Sequence, residues 1–95
     1  MQKQMVDERN AISEIEDVPR YRLEFWTGGP ALENAVEAWD VHSRDVMEVL
    51  DWAHEHAAER RPCRVLVFFA RSHPGEPWLV NPIETHLIYS ATVRQ

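Results

Sequence analysis

Six consecutive apolar residues, Val65-Leu66-Val67-Phe68-Phe69-Ala70, constrain this chain more than any other feature. A strand alternates its side chains between two faces, so a run that is apolar at every position needs cover on both sides. The run predicts a central strand over Cys63–Arg71. It is far too short to cross a bilayer, which takes about 20 apolar residues in a helix. The covering element lies just upstream. Val46, Val49, Leu50, Ala53 and Ala57 recur at helical spacing and form one stripe, with Trp52 and His56 on its flank. Ser43 suits an N-cap, Asp45 falls in the first turn, Arg60 and Arg61 suit the C-terminal end, and Pro62 stops the run. One long helix over about residues 43–60 follows from this pattern.

The remaining segments read as strands around that pair. Tyr21, Leu23 and Phe25 alternate with Arg22 and Glu24, which predicts a strand over Arg20–Thr27 with one buried and one wet face. Gly28-Gly29-Pro30 ends it. Residues 31–42 carry two patterns. Leu32, Ala35, Val36 and Trp39 have helical spacing, whereas Glu37, Trp39 and Val41 alternate as a strand returning antiparallel to the first. The hairpin is slightly favoured, because a new helix begins directly afterwards. Trp78-Leu79-Val80 and Thr85–Val93 add two short stretches, with Leu87, Tyr89, Ala91 and Val93 on one face. Asn81-Pro82 between them marks an edge. Residues 1–19 are mostly polar, with Ile12, Ile15 and Val18 spaced by three and Pro19 behind them. They read as a flexible N-terminal tail, or as a helix that orders on a partner. The expected architecture is a single α+β domain over 20–95. It has a mostly antiparallel sheet of three to five strands, with one long helix packed on one face and the other face open.

Composition narrows the functional classes. With 95 residues, 44% apolar and 27% charged, the chain suits one globular domain. A single cysteine, Cys63, excludes an intrachain disulfide. Together with an N-terminus lacking an apolar run, this favours a cytoplasmic setting. The net charge is −6 and unevenly spread. Residues 1–59 hold 14 acids against 5 bases, while residues 60–95 hold 2 acids against 5 bases. The acidic first part argues against nucleic-acid binding, which needs a basic face, and nothing points to a membrane.

Four acids, Glu48, Asp51, Glu55 and Glu59, recur at spacings of three and four, so they form a row opposite the helix's apolar stripe. The row either docks a basic partner or is the solvated side that every amphipathic helix has. Among four tryptophans, Trp26 falls on the polar parity of its strand and Trp78 follows a Pro-Gly turn, so both are candidates for an exposed binding surface. His54 and His56 are two apart on a helix and cannot share a metal. The best local ligand set is Asp40, His42 and Asp45, set against the plainer reading in which they serve a turn and a cap. Arg61 and Arg64 flank Cys63 and could lower its pKa, though a packed thiol is the simpler expectation. Arg22, Arg64 and Arg71 could join Trp26 on one face. Arg64 and Arg71 are seven apart, however, so strand parity works against it.

The sequence therefore points to a small non-catalytic protein–protein interaction module, in one version an acidic inhibitor or antitoxin-like partner of a basic protein. It implies no cofactor, and its partner is an unidentified protein. A small metal- or ligand-binding enzyme-like domain, with its site near Asp40, His42 and Asp45, is the alternative. A homodimer formed through an edge strand or an uncovered sheet face is a further expectation.

Overall fold

The computed structural model describes residues 1–6, 19–72 and 83–94, with the backbone alone for Arg71, Ser72, Ile83 and Glu84. Five strands and one helix follow in the order β1 (Gln2–Val6), β2 (Arg20–Thr27), β3 (Ala35–His42), α1 (Val46–Glu59), β4 (Cys63–Ser72) and β5 (Ile83–Val93). The strands form one sheet in the order β1-β3-β2-β4-β5, and every neighbouring pair is antiparallel. β3 and β4 therefore run parallel on either side of β2, and α1 is the crossover that joins them. No described helix is long and apolar enough to cross a membrane.

Residues 31–42 resolve into the hairpin return. β3 pairs with β2 along its whole length, from Arg20 opposite His42 to Thr27 opposite Ala35. The turn depends on Gly28 and Gly29, at φ +83° and +74°, a region that costs a Cβ-bearing residue. A Cβ at Gly29 would also come within 2.9 Å of the Asn34 side chain. The Gly28 carbonyl accepts from the Glu33 and Asn34 amides and closes the loop.

Register divides the sheet into two faces. Tyr21, Leu23 and Phe25 share the α1 side with Trp39, Val41, Val65 and Val67, and α1 adds Val49, Ala53 and Ala57. The three helical residues are fully buried, and their small side chains let the helix sit close to the sheet. β4 is the interior strand that its apolar run predicted. Val65 and Val67 face α1, while Leu66 and Phe68 are half-buried on the other side.

Four expectations change. The helix has 14 residues rather than spanning about 43–60, and its N-cap is Asp45, whose side chain accepts from the Met47 amide at 2.9 Å. Ser43 instead shapes the turn before it, its Oγ accepting from the Asp45 amide at 3.1 Å. Residues 2–6, expected in a flexible tail, form an edge strand on β3, with Lys3 Nζ 5.0 Å from the centre of the Trp52 ring. Residues 7–18 of that expected tail lie outside the described residues, as do Trp78, Leu79 and Val80. The single face expected for Leu87, Tyr89, Ala91 and Val93 is broken at Ile88. There β5 holds one extra residue, so Val67 pairs with Tyr89 but Phe68 pairs with Leu87. A one-residue bulge reverses side-chain parity, and Leu87 leaves the face of the other three.

The face away from α1 is also less open than its polar sequence implied. Arg20, Arg22, Ala38, Asp40, His42 and Ala70 are all buried there. Arg22 Nε donates to Asp40 Oδ1 at 2.7 Å across the β2–β3 pairing, so a buried charge meets a buried charge.

Candidate functional site

The acidic row stands where its spacing placed it. Glu48, Asp51, Glu55 and Glu59 are all exposed on α1, away from the buried stripe of Val49, Ala53 and Ala57. Glu48 meets the N-terminal ammonium at 3.4 Å, and Glu59 lies 3.6 Å from Arg60 Nη1. Asp51 and Glu55 have no basic partner among the described residues. Two apolar side chains adjoin the start of the row, Val46 at 38% and Met47 at 59% exposure.

Trp26 is on the face away from α1, as its parity predicted, but it is half-buried and engaged. Its indole N–H donates to Glu24 at 3.1 Å, and the Arg64 guanidinium lies 5.8 Å from its ring centre. Arg22 and Arg64 thus share that face with Trp26, and each already has a local role. The side chain of Arg71 is not among those described, and neither is Trp78.

Asp40, His42 and Asp45 do not converge. Asp40 turns to Arg22 on the sheet face, and its second oxygen is buried without a hydrogen-bond partner. Asp45 caps the helix. His42 and Asp45 do line one cavity of about 400 Å³, together with Ser43, Arg44, Glu48 and the first two residues. Among the described residues, no three of His, Cys, Asp and Glu are grouped closely enough to hold a metal ion.

The most elaborate polar constellation lies at the other end of α1, around Glu37. This carboxylate sits on the helix side of β3 and collects four donors. Trp39 Nε1 donates at 2.5 Å, His56 Nε2 is at 2.7 Å, and Arg60 donates through Nε at 3.1 Å and Nη2 at 3.2 Å. Burial by itself would raise the Glu37 pKa. The hydrogen bonds from Trp39, His56 and Arg60, with the Arg60 charge, outweigh it and hold the carboxyl below its ordinary value. The imidazole of His56 is enclosed by aromatic rings, with centroids at 4.4 Å for Phe25, 4.6 Å for Trp52 and 5.4 Å for Trp39. Arg60 returns Nη1 to the His56 carbonyl at 3.1 Å, so the last turn of α1 is tied both to itself and to β3. Oε2 takes three of these bonds and Oε1 one, so the cluster acts as a rivet between helix and sheet.

Sequence reasoning passed over Glu37, although the signal was present. In the alternation Glu37-Trp39-Val41 an acid stands on the apolar parity, and an acid on a buried face requires a partner. His56 beside the apolar stripe carried the same message.

Cys63 is fully buried at the start of β4. Burial pushes its thiol up, and Glu37 adds to the rise against the opposing charge of Arg60. The arginine that acts on it is therefore Arg60 rather than Arg61 or Arg64, and the group is a packed thiol. On the far side of α1, Tyr89 of β5 hydrogen-bonds His54, linking helix and edge strand. No protein family, curated protein or solved structure matches the chain.

Proposed function

We propose that this chain is a small non-catalytic interaction module that docks a basic protein on the exposed side of α1, as an acidic inhibitor or antitoxin would. One observation carries the reading. Asp51 and Glu55, at the centre of the row, are exposed on a helix whose opposite side is fixed in the core, and they have no basic partner among the described residues. Carboxylates already held in line need little ordering on binding, and their shared field draws a positive partner toward them. Val46 and Met47 supply adjoining apolar contact, and methionine adapts readily to a partner's surface.

The test compares the wild-type chain with the Asp51→Lys/Glu55→Lys double variant as immobilised bait in native lysate, washed at rising salt. The expected result is a protein retained by the wild type at low salt, released at high salt and missing from the variant. Both baits should unfold within roughly 0.5 kcal/mol of each other, since the positions are on the surface. A protein kept equally by both baits, or retained only in high salt, removes the reading.

A second reading draws on the cavity that His42 and Asp45 share with Ser43, Arg44 and Glu48. Its volume and mixed polar lining suit a small charged ligand. Ligand-induced stabilisation lost in His42→Ala would favour it. Identical melting behaviour of the two chains across a ligand and divalent-cation panel would end it.

A further inference from the structure

We draw no further inference here: the strongest candidate, the edge strand β5 with Leu87 and Ile88 exposed at its centre, carries nothing because nothing in the structure shows what covers it.

Discussion

The two ends of α1 are fixed to the sheet by different physics. At the C-terminal end, Glu37 reaches across from β3 to His56 and Arg60, and Phe25, Trp39 and Trp52 close around the imidazole. Polar pairing and ring contacts there support each other, because the rings bury the imidazole that the half-buried carboxylate holds. At the N-terminal end, the helix begins on its own cap. Asp45 holds the Met47 amide, a cavity of about 400 Å³ lies beside it, and Val46 and Met47 are exposed. A charged group strengthens this fold where it spans two elements and is partly dried. Where it serves only its own helix, it contributes locally. In the acidic row, Glu48 near this end meets the N-terminal ammonium, and the spare carboxylates, Asp51 and Glu55, follow it along the helix.

Removing the rivet should produce the larger effect. Glu37→Ala leaves the Trp39 indole, His56 and Arg60 without their common acceptor, and urea unfolding should show a loss of about 1–3 kcal/mol. Glu37→Gln keeps the shape and half of the acceptor capacity, so it should fall between. A loss below about 0.5 kcal/mol for Glu37→Ala would mean that the rings alone hold this end. Acid titration reads the same bond without mutation. The folded-state pKa of Glu37 is depressed, so its contribution is present in full above the ordinary glutamate value of about 4.3 and is lost as pH falls through the lower folded value. Stability should therefore decline below about pH 4, and part of that decline should vanish in Glu37→Gln. An unchanged acid profile in the variant would transfer the effect to other carboxylates.

Much of this arrangement was legible from periodicity, and the exceptions have physical causes. The six-residue apolar run marked β4 as interior because only a strand covered on both sides needs apolar residues at every position. The Val46–Ala57 stripe marked the helix. β1 carried no such mark, since Gln2–Val6 lies at the rim and owes its extended form to the open edge of β3 rather than to its own pattern. Ser43 and Asp45 are both good caps, and the choice between them rests on the Ser43 Oγ bond to the Asp45 amide, a tertiary detail. The parity of β5 failed at one residue, Ile88, which no local composition flags. In the candidate site, the acidic row was readable because it is a surface pattern on one helix. The Glu37 cluster joins residues up to 23 positions apart, and register across β2 and β3 had to be known before its members could meet.

The smaller effect belongs to the other end. Asp45→Ala removes one cap bond to an exposed amide and should cost about 1 kcal/mol, the usual penalty for losing an aspartate cap. Hydrogen exchange locates that loss. Amides in the first turn of α1 should exchange faster in Asp45→Ala, while those of the last turn, held by Arg60 and Glu37, stay protected to the level of the whole fold. Ser43→Ala should act in the same direction and more weakly, because Ser43 orders the turn rather than satisfying a helical donor. If Asp45→Ala instead lowered global stability as far as Glu37→Ala does, the first turn would be part of the cooperative core. The difference between the ends would then be one of chemistry and not of stability, and the exposed Met47 and Val46 would sit on a surface as rigid as the rest of the helix. A loss confined to the first turn would leave that surface able to adjust to a partner while the rivet keeps the remainder of α1 in place.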